Sequence, residues 1–89
     1  MAFQKTRAER LDQLDLRERA RVRGVDGRGA MSVRLLEMGF VPGAEVTLIK
    51  RAPLGDPLEL RLRGYHVSLR RAEARLVRVD PLMSDEARP

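Results

Sequence analysis

The side chains that could carry out covalent or acid–base chemistry are few in this chain of 89 residues. There is one histidine, His66, and no cysteine, and the serines are Ser32, Ser68 and Ser84. None of the serines sits in a strained-turn nucleophile motif, and no glycine loop followed by Lys and Ser/Thr is present to cradle a phosphate. The sequence therefore predicts a protein that is not an enzyme, uses no cofactor and does not itself bind a nucleotide.

A tight metal site would need several histidine, carboxylate or thiolate ligands that converge. His66 stands nearly alone, and the hairpin register predicted below sets it opposite Arg63 and diagonal to Arg61, whose charges repel a cation. We therefore expect no tight metal site and interpret His66 as a residue of an exposed strand face.

The strongest candidate for binding is a stiff loop, residues 52–57, with the sequence APLGDP. Pro53 and Pro57 remove N–H donors and restrict φ, and Gly55-Asp56 supplies the bend. Leu54 then lies at the tip, where an apolar side chain on a pre-ordered loop loses little entropy on docking. A plain connecting turn is the alternative.

Basic residues exceed acidic ones by 18 to 13, which gives a net charge of +5. Such a charge favours an anionic partner, either nucleic acid or the acidic surface of a protein or membrane. An arginine-rich composition is also typical of the solvent face of strands, so the charge alone does not choose a partner. Arg61, Arg63 and His66 are the basic residues that we include with the loop as candidates for partner binding.

A short helix precedes these residues. Apolar residues at helical spacing predict its buried stripe: Met31, Leu35, Leu36 and Met38. Ser32 is the expected N-cap. Gly39 suits a left-handed C′ position, Phe40 can pack back on Leu35, and Pro42 prevents continuation.

Alternating apolar and polar residues predict five short strands, over residues 19–23, 45–50, 58–63, 65–69 and 76–79, with a brief helical turn at 70–74. A two-residue turn at Gly64-Tyr65 would place Arg63 opposite His66 and Glu59 opposite Arg70, with all apolar residues on one face. So many short strands in a small domain must curl to hide their edges, which favours a small barrel.

We divide the chain into an N-terminal arm (residues 1–15), one barrel domain (16–80) and a C-terminal tail (81–89). Leu11, Leu14 and Leu16 could form a helical turn or a docking arm, and nothing in the sequence fixes their structure. The start of the chain lacks the apolar run of a signal peptide, and no stretch approaches the ~20 apolar residues of a membrane span. We expect a cytoplasmic protein.

Four segments in order resemble the FeoA family: residues 34–43 (RLLEMGFVPG), 52–57 (APLGDP), 63–65 (RGY) and 69–74 (LRRAEA). The resemblance covers residues 16–80. The chain departs from the family pattern near its start, because the Pro-Gly pair usual before the first strand is absent between Leu16 and Ala20.

The resemblance implies a mainly β fold, a small SH3-like barrel of about five strands with one short α-helix. It also implies a role in Fe(II) uptake through binding to the cytoplasmic part of FeoB, an inner-membrane ferrous iron transporter. On that hypothesis the partner-binding residues are the loop and the basic strand face: Pro53, Leu54, Gly55, Asp56, Pro57, Arg61, Arg63 and His66.

The alternative from another class is a nucleic-acid-binding small barrel, or an SH3-like regulatory domain related to metal-dependent repressors. Barrels that bind single strands normally stack bases on aromatic side chains, and only Phe3, Phe40 and Tyr65 are present here. We therefore expect a protein partner and no nucleic acid. A free sheet edge could also support weak self-association.

Overall fold

The computed structural model describes residues 7–82, which form one five-stranded antiparallel sheet with one helix longer than a single turn. In chain order the elements are a 3₁₀ turn (Leu11–Gln13), β1 (Arg19–Val25), α1 (Ala30–Met38), β2 (Glu45–Arg51), β3 (Leu58–Leu62), β4 (Tyr65–Leu69), α2 (Arg71–Ala74) and β5 (Val77–Pro81). The strand order is β4-β3-β2-β1-β5. The predicted fold class is confirmed, and each strand differs from its predicted bounds by at most two residues at either end.

The predicted end of α1 is confirmed in detail. Gly39 has φ 116°, in the left-handed region, and the backbone N–H of Phe40 donates to the Leu35 carbonyl at 3.1 Å. Phe40 is fully buried, so its aromatic ring holds the helix end on the core. Glycine is required at this position because an L side chain would be strained at that φ and would also crowd Leu62.

The predicted start of α1 is wrong. The helix begins at Ala30 with Gly29 as N-cap, so Ser32 lies inside the first turn. The Ser32 hydroxyl donates to the backbone carbonyl of Asp26 at 2.7 Å and is buried, which ties the helix to the preceding loop. A hydroxyl that bonds to a loop outside its own helix cannot be recognised from spacing alone.

The predicted stripe of α1 is narrower than expected. Leu35 is 1% exposed, whereas Met31 and Leu36 are each 42% exposed and Met38 is half-buried. The helix therefore rests on the sheet along Leu35 and Ser32, and its two flanks remain accessible to solvent.

The predicted register of the β3–β4 hairpin is wrong by two residues. The turn is Arg63-Gly64, with φ 52° and 90°, and both positive values are what a type I′ turn requires. His66 therefore lies opposite Arg61 and not Arg63, and Glu59 lies opposite Ser68 and not Arg70. Because a shift of two residues keeps each side chain on its face, the leucines of β3 still point to the core as predicted.

The segment before β1 contributes to the core. Ala8, Leu11 and Leu14 are buried, while Leu16 is exposed. The Arg51 guanidinium donates to the carbonyls of Asp12 and Leu14 at 2.8 and 2.9 Å, which fastens this segment to the end of β2. Residues 1–6 of the predicted arm and 83–89 of the predicted tail lie outside the described residues.

The chain enters β1 through a turn in which Arg17 has φ 69°. This is where a glycine would be favoured, and it lies within the region where the Pro-Gly pair of the family pattern is absent. The backbone N–H of Arg17 donates to the Leu48 carbonyl at 2.6 Å, so the bond to β2 holds the turn without a glycine.

An ion-pair cluster joins the segment before β1 to β5. The Asp26 carboxylate accepts hydrogen bonds from Arg10 and, at 2.8 Å, from Arg78. The hydrogen bond from Arg10, reinforced by the charges of both arginines, lowers the pKa of Asp26 despite an opposing effect of burial. The cluster connects the first segment, the loop before α1 and β5.

Candidate interaction surface

The loop over residues 52–57 is a closed and well-bonded turn. The Ala52 N–H donates to the Pro57 carbonyl at 3.0 Å, and the Gly55 N–H donates to the Ala52 carbonyl at 2.7 Å. Gly55 has φ 85°, so glycine is needed for the bend. Leu54 is 92% exposed at the tip. The loop therefore holds an apolar side chain out into solvent on a backbone that is already ordered.

Asp56 fastens this loop to a second element. Its Oδ1 accepts a hydrogen bond from the backbone N–H of Arg71 at 3.1 Å, at the first residue of α2. The first N–H groups of a helix have no partner within it, so this carboxylate satisfies one of them from outside. Asp56 thus has a positioning role within the fold, which the sequence pattern did not reveal.

The three basic candidates do not lie at one point. Arg61 and His66 are direct neighbours across β3 and β4 on the exposed face. Arg63 lies in the hairpin turn, at the opposite end of β3 from Pro57. The five residues of β3 separate Pro57 from Arg63, a span of roughly 20 Å. The eight candidate residues form a strip along β3 and not a compact patch.

The charges of this strip are available for a partner. Within residues 7–82, neither Arg61 nor Arg63 has a carboxylate within ion-pair distance, whereas Arg10, Arg34 and Arg78 do. Over the same residues no group of three or more His, Asp and Glu side chains converges as metal ligands would. The strip is therefore suited to electrostatic contact with an acidic surface.

Sequence reasoning missed an apolar groove at the hairpin end of the barrel. It has a volume of about 670 Å³, and its lining is Met38, Gly39, Leu62, Arg63, Tyr65 and Val67. Tyr65 is 75% exposed although it shares the core-facing side of β4 with Leu69. The sequence offered one signal for this groove, the aromatic residue Tyr65 directly after the turn. The prediction placed Tyr65 inside the turn and so missed the groove.

Among the described residues, no helix combines the length and the apolar character that a membrane span requires.

The comparisons with known proteins agree on one family. The model of the FeoA domain matches residues 9–81. A fusion protein of Porphyromonas gingivalis, described as Fe(2+) transport protein A/Fe(2+) transporter FeoB, is 42% identical over 76 residues; these are 85% of this chain and 9% of that protein. The chain therefore spans less than a tenth of that relative.

Solved structures agree in fold. The FeoA-like protein of Clostridium acetobutylicum superposes with a TM-score of 0.80 at 34% identity, covering 90% of this chain and 93% of the other. FeoA of Stenotrophomonas maltophilia, solved with zinc and described as a prokaryotic SH3 domain protein, gives a TM-score of 0.73 at 36% identity, covering 82% and 91%. These two comparisons confirm the predicted SH3-like barrel.

A manganese-dependent transcriptional repressor superposes with a TM-score of 0.76 at 15% identity, over 88% of this chain and 38% of the repressor. At that identity the likeness concerns the fold alone. The family match, by contrast, spans the described barrel from the segment before β1 to the end of β5. The chain belongs to the FeoA family, which is associated with Fe(II) transport.

Proposed function

We propose that this protein is a non-enzymatic accessory factor of Fe(II) uptake that binds the cytoplasmic part of a FeoB-type transporter. The observation that carries the proposal is the loop over residues 52–57, whose apolar tip, Leu54, is 92% exposed while its backbone is fixed by internal hydrogen bonds. Docking such a loop costs little conformational entropy, because the ordering has occurred in the fold.

The P. gingivalis relative supports the choice of partner, because there a FeoA-like segment and a FeoB transporter are parts of one chain. In a fusion the two parts are held at high effective concentration, so even a weak contact between them is populated. Where the two parts are not fused, the contact depends on affinity alone, and an exposed apolar anchor and charged residues that guide encounter supply it.

The roles within the surface follow from burial and charge. Leu54 is the anchor that fills a pocket on the partner, and Pro53 and Pro57 keep the loop in shape. Arg61 and Arg63 steer the barrel toward acidic surface and affect the association rate more than the affinity, and His66 lies beside Arg61 in the same strip.

The experiment measures binding of the full chain to the purified cytoplasmic domain of the transporter by biolayer interferometry. Leu54→Ala should weaken binding about tenfold, which corresponds to ~1.4 kcal/mol. Leu16→Ala is the matched control, since Leu16 is also an exposed leucine but lies outside the strip. Both variants should keep the wild-type melting temperature. Equal binding by wild type and Leu54→Ala would exclude the loop, and no binding by wild type would exclude the partner.

The same sensor can separate this function from nucleic-acid binding. Of the aromatic residues described, Phe40 is buried and Tyr65 alone is exposed, so successive bases have no stacking platform. Immobilised single-stranded DNA should give no retention at ~0.15 M salt, because phosphate contacts alone fade steeply as salt rises. Retention at that salt would favour the nucleic-acid function.

A further inference from the structure

A second surface, which shares Pro57 with the loop over residues 52–57 but does not include Leu54, lies where side chains of α1 and β4 line two depressions. Arg34 and Met38 are four residues apart on α1 and therefore share one face of the helix, about 6 Å apart along its axis. Met38 lines the apolar groove with Tyr65 and Val67. Arg34 lines a second depression of about 420 Å³ with Pro57, Ser68, Arg70 and Glu73. The two depressions follow one another along β4, and we call them together the α1–β4 cleft.

The floor of this cleft is an unpaired strand edge. Among residues 7–82, β4 pairs with no strand other than β3. In a two-residue hairpin the residues that flank the turn, here Leu62 and Tyr65, exchange hydrogen bonds, and the bonded pairs then alternate along the strands. The main-chain groups of His66 and Ser68 therefore point away from β3, and within residues 7–82 they have no hydrogen-bond partner.

The two sides of this edge differ in chemistry. On the core side the cleft presents apolar groups of Met38, Tyr65 and Val67. The outer side carries Arg61 and Arg70, whose guanidinium groups have no ion pair within residues 7–82, and one carboxylate, Glu59, opposite Ser68. At the helix wall of the cleft, Arg34 has a loose contact of 3.8 Å with Glu73. A strand added to β4 would thus meet apolar surface with every second side chain and an excess of positive charge with the others.

We propose that the α1–β4 cleft binds an extended segment of a partner protein in which apolar and acidic residues alternate, and that this segment joins the sheet as a sixth strand beside β4. The outward N–H and C=O groups of His66 and Ser68 supply the main-chain hydrogen bonds, and the two sides of the cleft supply the sequence preference.

Charge argues against a second copy of this chain as the occupant. Antiparallel pairing of two β4 edges would bring the face of one chain that carries Arg61 and Arg70 beside the same face of the other, and the excess of positive charge on both faces opposes this pairing. Exposed edges protected by positive charge in this way resist self-pairing but accept a strand of opposite charge.

The test is an NMR titration of the full chain with three eight-residue capped peptides: alternating Val and Glu, alternating Val and Lys, and a block peptide of four Val and four Glu. The alternating Val/Glu peptide should slow amide exchange at His66 and Ser68 by about tenfold or more. The other two peptides should not. Equal binding by the Lys or block peptide, or unchanged exchange at these two amides, would overturn the proposal.

Two variants test the main-chain contact. Ser68→Pro removes an N–H that faces away from β3, so the hairpin should still fold, and peptide affinity should fall about tenfold. Ser68→Thr keeps the N–H and should bind as wild type does.

As a check that needs no variant, N-methylation of the peptide amides that face β4 should abolish binding, while N-methylation of the alternate amides should not. Equal binding by both methylated peptides would contradict strand addition.

Further measurements address the other occupants and the relation to the proposed function. Protection of His66 and Ser68 that rises with protein concentration without peptide would show self-association and overturn the assignment to a partner. Leu54→Ala should leave peptide binding unchanged, because Leu54 lies outside the cleft. Failure of transporter binding at the loop and failure of peptide binding at the cleft are therefore separate results.

Discussion

The carboxylate of Asp56 accepts a hydrogen bond from the backbone N–H of Arg71, and this single contact couples the exposed loop to the start of α2. The two residues are far apart in sequence, but the loop after β2 and the turn after β4 meet at the same end of the barrel. Asp56 is exposed at the loop surface and yet performs a structural task, so a change there acts on the position of Leu54 and not on its chemistry.

Asp56→Ala should lower the free energy of unfolding by about 1 kcal/mol, the usual cost of losing a side-chain cap on a helix N-terminus. It should also weaken transporter binding, because the loop that carries Leu54 becomes less ordered. Asp56→Asn is the matched control, since it keeps an oxygen at Oδ1 and should retain most of the stability. Urea unfolding of the three proteins gives the free energies, and loss of stability in the Asn variant equal to that in the Ala variant would contradict the role of the hydrogen bond.

Arg63→Asn should raise the free energy of unfolding by about 0.5–1 kcal/mol, because φ is 52° at this position and asparagine tolerates positive φ in a type I′ turn far better than arginine. Arg63→Ala, which removes the charge and gives no help to the backbone, is the control and should not stabilise. Thermal unfolding monitored by circular dichroism separates the two. A gain in stability for Ala as large as that for Asn would show that charge, and not backbone strain, is the cause.

Much of the barrel could be predicted from the sequence because alternation has a period of two and the strands are clearly bounded. The hairpin shows the limit of this reasoning. Two-residue turns at Gly64-Tyr65 and at Arg63-Gly64 leave the same side chains on the core face, so the hydrophobic pattern cannot distinguish them. Glycine at the first turn position favoured a II′ turn, and the structure instead has arginine in a positive-φ position that arginine rarely adopts.

The exposed loop was predictable because proline and glycine act locally, whereas the α1–β4 cleft was not. The cleft arises from the placement of a helix beside a strand that lies more than twenty-five residues later in the chain, and no local pattern encodes that placement. The same holds for Ala8, Leu11 and Leu14, which are buried because β5, α2 and the end of β2 lie against this segment.

Leu35→Ala and Leu36→Ala form a matched pair on adjacent residues of α1. Leu35 is 1% exposed and its loss should cost about 2–5 kcal/mol, whereas Leu36 is 42% exposed and its loss should cost less than about 1 kcal/mol. Because both changes remove the same atoms from the same helix, intrinsic helix propensity cancels in the comparison. Denaturant unfolding of both variants measures the difference, and equal losses would mean that both flanks of α1 are packed, as the sequence pattern alone suggested.

Acid should weaken the link between the first segment and β5. The pKa of Asp26 is lowered in the folded protein, chiefly by the hydrogen bond from Arg10. A carboxyl group with a depressed folded pKa adds stability above its unfolded pKa of 3.8, and loses that contribution as the pH falls through the lower, folded pKa.

The difference in urea midpoint between wild type and Asp26→Asn should therefore be constant from pH 7 to about 5 and shrink toward zero below the unfolded pKa. In an Arg10→Gln background the difference at neutral pH should be smaller, because the largest cause of the shift has been removed. A midpoint difference that does not change with pH would mean that the Asp26 charge adds nothing to this link.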